Sequence, residues 1–235
     1  MDALISITYT YSFENRQDKT FVLNLDRSNL GLVMQRPADP PLWTLLNINK
    51  CSNCPLSDKE CIHCPVALNL ANIVEEFKSF VSHENVRVTV KTEERTYLKD
   101  TTIQLGLSPL LGIIMTTSGC PIMDHLKPMV RFHLPFATLT ETIFRMISMF
   151  LVAQYIRMQE GLDAAWDLEG LAGIYSAVNM VNRDFAARLR VAAKNDANVN
   201  ALVNLDCFAT MVPLAAGDTL AEIKPYFSAY LNGTP

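Results

Sequence analysis

The 235-residue chain has no surplus of basic residues. Its 20 Lys and Arg face 24 Asp and Glu, which gives a formal net charge of −4. No stretch combines clustered Lys and Arg with interleaved aromatic residues. Because proteins that bind duplexes neutralise phosphates with clustered basic side chains, we expect no nucleic-acid partner.

The sequence also lacks an export signal and a long apolar run. The N-terminal stretch MDALISITYTYSF has no basic segment followed by an apolar one, as a secretory signal would. The most apolar stretch, residues 143–156, is interrupted by Arg145 and Gln154, whereas a membrane-spanning helix needs about 20 apolar residues. We therefore predict a cytoplasmic protein without membrane association, in a reducing compartment where clustered cysteines bind metal more often than they form disulfides.

Familiar catalytic motifs are absent as well. The chain contains no P-loop, no G-x-G-x-x-G, no H-E-x-x-H and no G-x-S-x-G. Its 49% hydrophobic and 19% charged residues are typical of a globular fold. Whether the protein is an enzyme therefore stays open.

Hydrophobic periodicity predicts a β-rich first half. Strict alternation of apolar and polar residues favours strands, and four are predicted, at 5–13, 21–25, 86–91 and 96–104. Residues 27–50 contain PADPP and are expected to be a loop. A helix with Pro65 at its first position is expected to end near His83.

The second half has the apolar spacing of helices. Helices are predicted up to Gly119, between a Thr138–Glu141 capping box and Gly161, and at 168–193, 197–215 and 219–231, with Asp196 capping the fourth and Pro225 bending the last. The fold class is α+β: a small antiparallel sheet of about four strands with a four-cysteine knuckle, packed against a mainly helical C-terminal half. We divide the chain into 1–107 and 108–235, as two packed parts or one continuous domain.

Four of the six cysteines form the pattern C-x2-C-x6-C-x2-C between residues 51 and 64. The predicted metal ligands are Cys51, Cys54, Cys61 and Cys64. Two C-x2-C pairs supply four thiolates, the tetrahedral set that zinc prefers, and such closed sites are usually structural. Three alternatives stay open: an iron–sulfur cluster, which four thiolates also hold, a disulfide, and His63 replacing one cysteine.

A second concentration of reactive side chains lies in SGCPIMDHLKPMVRFHLPFA, residues 118–137. The candidate catalytic residues are Cys120, as a nucleophile near a helix start, with His133 and Asp124. Two competing interpretations stay open: Cys120 binds a metal together with the histidines and Asp124, or it is a buried cysteine that only fills space. Cys207 is expected to be such a core residue.

The helix around residues 175–190 carries a polar stripe. Asn179, Asn182 and Arg183 fall on one side at helical spacing. They either line a pocket for an anion or form a solvated face.

Several motifs together resemble an uncharacterised bacterial family. They are the paired C-x2-C before a helix, SGCP at 118–121, RFHLPFA at 131–137, Glu141-Thr142 and Ala153-Gln154-Tyr155. The resemblance extends to about residue 210. It implies no reaction, ligand or partner, and it draws attention to Cys120, Arg131 and His133.

The sequence thus predicts a soluble metal-binding protein with structural zinc, which acts through a protein partner or through self-assembly. The alternative is an enzyme or redox sensor that uses Cys120 with His133, or an iron–sulfur cluster at the four clustered cysteines.

Overall fold

A five-stranded antiparallel sheet forms one layer of the molecule in a computed structural model of the chain, which describes residues 3–33, 37, 39–59, 61–192 and 194–233. The strands are β1 (Leu4–Ser12), β2 (Lys19–Asp26), β3 (Leu32–Val33), β4 (Asn85–Lys91) and β5 (Thr96–Thr102). Their order across the sheet is β3-β2-β1-β4-β5. The α+β prediction is confirmed, with one strand more than expected.

The central strand β1 shows why the alternating pattern folds as it does. Ile5, Ile7, Tyr9 and Tyr11 are all buried on one face, while the residues between them are not. Period 2 places alternate side chains on opposite faces of a sheet, so one face of β1 enters the core. Tyr9 lies opposite Phe21 of β2 and Val90 of β4.

Helices make up most of the rest of the chain. They are α1 (Pro65–Phe77), α2 (Ile103–Thr117), α3 (Lys127–Arg131), α4 (Leu139–Gln159), α5 (Glu169–Ala192), α6 (Ala197–Ile223) and α7 (Ser228–Leu231). The capping box of α4 is confirmed: Thr138 Oγ1 accepts from the Glu141 N–H at 3.2 Å, and the Glu141 carboxylate accepts from the Thr138 N–H at 2.7 Å. Helix α1 begins at Pro65 as expected but ends six residues before His83.

The C-terminal helices differ from the prediction in two ways. A break near residue 215 was predicted, yet α6 continues through Pro213 to Ile223, and the chain then passes through a 3₁₀ turn containing Pro225. Asp196 does occupy the cap position of α6, but it makes no capping bond. Its carboxylate instead accepts from the Ser82 N–H and hydroxyl, both at 2.8 Å.

One cluster of buried side chains joins the sheet to the helices. Helix α2 lies at its centre, because Leu107, Leu110 and Leu111 are fully buried there. The Tyr11 hydroxyl of β1 donates to the carbonyl of Gly106 at 2.9 Å, so the sheet and α2 are in direct contact. The division expected at residue 107 falls inside this helix.

The C-terminal helices also include an apolar run. Within the described residues, one helical segment, Ala197–Leu231, is long and apolar enough to cross a membrane by length and composition. The core helix of a soluble protein passes the same test, and α6 packs against α2, α4 and α5. Only 28% of the apolar window is buried, so much of this surface faces outward.

Candidate metal centre

The loop that carries the clustered cysteines is held by its own backbone. The Cys54 N–H donates to the Cys51 carbonyl at 3.0 Å, which closes a tight turn, and the Cys61 N–H donates to the Ser57 carbonyl at 2.9 Å. The Cys64 N–H donates to the Thr44 carbonyl at 2.8 Å. These bonds give the polar, turn-rich segment a fixed course without a core of its own.

Helix α5 anchors the same loop from the other half of the chain. The Asp184 carboxylate accepts from the N–H and the hydroxyl of Ser52, both at 2.7 Å, and the side-chain amide of Asn53 donates to the Ala177 carbonyl at 2.9 Å. The first cysteine pair is therefore positioned by α5 as well as by its own turn.

Two cysteines stand at the starts of helical turns, where backbone N–H groups act on the thiol. Cys64 precedes α1 and makes no side-chain capping bond, but the N–H groups of Val66 and Ala67 lower its pKa against the larger effect of burial. Cys120 follows Gly119, whose φ of +91° is a conformation that glycine adopts without strain. The N–H groups of Ile122 and Met123 likewise lower the pKa of Cys120, which burial raises. Such N–H groups stabilise a thiolate, as they do in metal–thiolate sites.

The fold brings Cys120 to the cysteine loop. Burial, together with the charges of Cys64, Cys120 and Cys54, raises the pKa of the Cys51 thiol to about 12. Burial is also the main cause of the raised pKa of Cys120, and the charges of Cys64 and Cys54 add to it. These four sulfurs lie close enough for the charge of one to oppose ionisation of another. Sequence reasoning missed this grouping and placed Cys120 with its chain neighbours instead.

Cys61 and His63 have other partners. The Cys61 thiol donates to the His63 carbonyl at 2.9 Å, and His63 Nδ1 lies 2.8 Å from the Thr44 hydroxyl. His63 also forms a β-bridge with Leu45. Of the four cysteines predicted as ligands, Cys61 is therefore the one whose thiol donates a hydrogen bond to a neighbouring backbone carbonyl.

A buried arginine acts on two of these sulfurs, those of Cys51 and Cys64. Arg188 of α5 is only 1% exposed, and it donates to the carbonyls of three loop residues. These carbonyls belong to Trp43 (2.8 Å), Leu45 (2.6 Å) and Leu46 (3.1 Å). Its charge lowers the pKa of Cys51 and of Cys64, against the larger effect of burial. Nε of Arg188 has no hydrogen-bond partner, and no Asp or Glu of the described residues forms an ion pair with it. Buried charges are normally paired, so this guanidinium favours a negatively charged neighbour.

All six cysteines are free thiols, so no disulfide forms. Over the part of the chain that the structure describes, no three or more His, Cys, Asp or Glu side chains are arranged to hold a metal ion. The four-cysteine knuckle is thus not seen as a closed site. Metal binding at Cys51, Cys54, Cys61 and Cys64 stays a prediction.

The candidate catalytic residues have separate partners. His133 Nε2 lies 2.6 Å from the Tyr9 hydroxyl, and Asp124 forms an ion pair with Lys127 at 3.1 Å. Burial, with a smaller effect of Arg145, lowers the pKa of His133 to about 3. Cys120 faces the cysteine loop. A catalytic role for Cys120, His133 and Asp124 stays a prediction.

The remaining singled-out residues are placed as follows. Cys207 is exposed on α6, so its prediction as a core residue is wrong. The polar stripe of α5 is divided: the Asn179 side chain donates to the Thr210 hydroxyl at 2.6 Å, Asn182 is buried, and Arg183 is exposed beside Asp184. Only Asn182 faces the interior.

Comparison with known proteins gives one match. A family model described as "Domain of unknown function (DUF6901)" matches residues 7–228. No curated protein and no solved structure gives a significant match.

Proposed function

We propose that this chain, which belongs to the DUF6901 family of domains of unknown function, is a zinc-binding protein whose thiolate site fastens the cysteine loop to the helical half. One observation carries the proposal: the charges of Cys54, Cys64 and Cys120 all act on Cys51. Arg188, a buried cation that forms no ion pair with a carboxylate of the described residues, acts on both Cys51 and Cys64.

The proposed ligands differ from the sequence prediction in one position. Cys51, Cys54 and Cys64 are kept, and Cys120 takes the place of Cys61, whose thiol donates to the His63 carbonyl. Four thiolates are the set that closed zinc sites use. Metal binding and deprotonation are coupled, so the sulfurs lose their protons as they close on the ion.

Charge balance supports the same four ligands. A zinc ion with four thiolates carries a net charge of about −2, which is costly to bury unless it is compensated. Arg188 supplies one positive charge, and its Nε–H has no other acceptor. The helix-start N–H groups that lower the pKa of Cys64 and Cys120 supply further compensation.

The proposed role of the metal is structural. A site with four protein ligands leaves no coordination position for a substrate. The chain would then act in the cytoplasm through association with a protein partner or with a second copy of itself. Exposed apolar side chains on the C-terminal segment favour association, among them Leu214, Tyr226 and Tyr230, each more than 70% exposed.

Two alternative functions would use the same cysteines. An iron–sulfur cluster would bind the same thiolates. A proline directly follows Cys54, Cys64 and Cys120, and a Cys-Pro pair also occurs in ferredoxins. An enzyme would need Cys120 as a thiolate with a base at hand. Burial raises the pKa of Cys120, and His133 is bonded to Tyr9, so the described geometry favours metal binding.

The deciding experiment is elemental analysis with an ultraviolet–visible spectrum of untagged protein purified without oxygen. We expect about one zinc per chain and no visible band. Detection of iron with acid-labile sulfide would show that the site holds an iron–sulfur cluster and not zinc. A metal-free protein would overturn the proposal.

Single cysteine variants then test the ligand set. Cys120→Ser is expected to lower zinc affinity by at least about tenfold, in line with the loss of one thiolate. Cys61→Ser and the exposed control Cys207→Ser should retain it. If Cys61→Ser releases zinc and Cys120→Ser does not, the loop alone holds the metal.

A further inference from the structure

A cavity of about 400 Å³ lies among α2, α3, α4, α5 and α6. Its volume falls within the usual range of small-molecule sites. Most of its wall is apolar, with Ile113, Met129, Val178, Leu205 and Val212 among the lining residues. A few polar side chains are placed among them, the arrangement that binding pockets use for orientation and specificity.

The charged side chains that line the cavity are all positive. Lys99 and Arg145 line the cavity, and no Asp or Glu does so among the residues with described positions. Nη2 of Arg145 donates to the carbonyls of Met129 at 3.0 Å and Phe132 at 2.6 Å, but within the described chain no carboxylate forms an ion pair with the guanidinium. Burial lowers the pKa of Arg145. The exposed Glu141 carboxylate acts on Arg145 from beyond ion-pair distance and does not line the cavity. A partly desolvated cation without a carboxylate in direct contact favours binding of an anion.

Two amide groups of the lining lack partners. Asn182 is 2% exposed, and its Oδ1 accepts no hydrogen bond. Nδ2 of Asn204 is buried and donates none. Buried polar groups are nearly always hydrogen-bonded, so these two atoms favour a ligand group that both donates and accepts.

The cationic group, Arg145, and the two amides lie at different ends of the cavity. Tyr175, Val178 and Asn182 line the cavity in that order along α5, and the charge of Arg145 acts on the Tyr175 hydroxyl. Seven residues separate Tyr175 from Asn182, which is roughly 10 Å along a helix. The cavity is therefore cationic near Tyr175, apolar at Val178 and amide-lined near Asn182.

We propose that this cavity binds an elongated carboxylate with an apolar middle and a hydroxyl group at its far end. The carboxylate pairs with Arg145, the methylene chain lies along Val178, and the hydroxyl donates to Asn182 Oδ1 and accepts from Asn204 Nδ2. A chain of about eight carbons spans the separation given by the helix rise. The proposal is independent of the metal centre.

The first test compares four probes by calorimetry on the wild-type chain. They are octanoate, 8-hydroxyoctanoate, 1-octanol and octylamine. We expect one octanoate per chain, bound at least about tenfold more tightly than octanol because a charge-assisted bond forms; 8-hydroxyoctanoate should bind more tightly still, and octylamine should not bind. Equal binding of octanoate and octanol, or no binding of either acid at millimolar concentration, overturns the proposal.

Two variants locate the ends of the ligand. Arg145→Met should weaken octanoate at least about tenfold and leave octanol unchanged. Arg157→Met, on the same helix but outside the cavity, is its control and should bind like the wild type. Asn182→Leu should remove the advantage of 8-hydroxyoctanoate over octanoate. Should Arg145→Met fail to fold, the four-probe comparison on the wild type decides. Unchanged binding by folded Arg145→Met and Asn182→Leu would place the acids elsewhere and overturn the proposal.

Discussion

Arg188 of α5 shows how much can depend on one buried side chain. It is buried and donates to three carbonyls of the loop that leads to the cysteines. Arg188→Met would leave these acceptors unpaired, so we expect the free energy of unfolding to fall by about 3–5 kcal/mol in urea titration.

The control for that variant is Arg190→Met on the same helix. Arg190 is exposed, and surface substitutions usually change stability by less than about 0.5 kcal/mol. Similar losses in the two variants would show that the bonds of Arg188 are not what stabilises the loop.

His133 is expected to make stability depend on pH. Its pKa in the folded chain is about 3, below the value of about 6.5 for an unperturbed histidine. Between these values the unfolded chain binds the extra proton, so stability is full above about pH 6.5 and falls as the pH drops. We expect a loss of about 1–2 kcal/mol between pH 7 and pH 5, measured by urea unfolding.

His133→Gln tests whether His133 is the group that takes up the proton on unfolding. Glutamine can still hydrogen-bond to the Tyr9 hydroxyl but takes up no proton, so the loss between pH 7 and pH 5 should shrink. His125→Gln is the surface control, since His125 is exposed. An unchanged pH profile in His133→Gln would assign the dependence to other groups.

At the scale of elements, helix α2 contains two glycines in opposite situations. A Cβ on Gly106 would lie 2.7 Å from Val88 Cγ2, whereas one on Gly112 would meet Leu205 Cδ2 at an ordinary 3.5 Å. Gly106→Ala should therefore cost about 1–3 kcal/mol through overpacking against β4. Gly112→Ala should be neutral or stabilise by up to about 1 kcal/mol, because alanine favours a helix. Thermal unfolding of the pair checks this, and equal effects would contradict the close contact.

The elements also show what sequence patterns can and cannot predict. The alternation in β1 and the Thr138–Glu141 box are local signals, and both correspond to what forms. Strand β3 has only two residues, Leu32 and Val33, too few for a period to be recognised. The helix predicted at 197–215 continues through Pro213 to Ile223, and buried residues on both sides of the proline, Val212 and Ala216 among them, hold it in the core.

At the scale of the whole molecule, the grouping of Cys120 with Cys51, Cys54 and Cys64 could not be predicted. Spacing identifies cysteines that meet through a short turn, and this is how the loop was recognised. Cys120 follows α2, which packs against α1, the helix that begins just after Cys64. The same holds for the cavity, whose walls come from five helices, strand β5 and the segment between α3 and α4. Tertiary packing, which leaves no local pattern, produces both.

Metal removal is expected to act on the entire fold. The proposed ligands join the cysteine loop to the end of α2, so a chelator should lower the midpoint of thermal unfolding by roughly 10 °C, as expected for a loss of several kcal/mol in a chain of this size. Differential scanning calorimetry with and without chelator measures it. Cys207→Ser should respond like the wild type, and an unshifted midpoint would mean that the metal contributes nothing to folding.

The pairing of β1 with β4 has a consequence for the order of folding. Thr8 lies opposite Lys91, and the cysteine loop and α1 lie between these two strands in the chain. The hairpins β1–β2 and β4–β5 can each form early from neighbouring residues, but joining them must close this long connection, which slows folding. Zinc held by Cys51, Cys54 and Cys64 would shorten the free connection before the sheet closes. We therefore expect the rate of refolding, and not only the final stability, to rise with the zinc concentration.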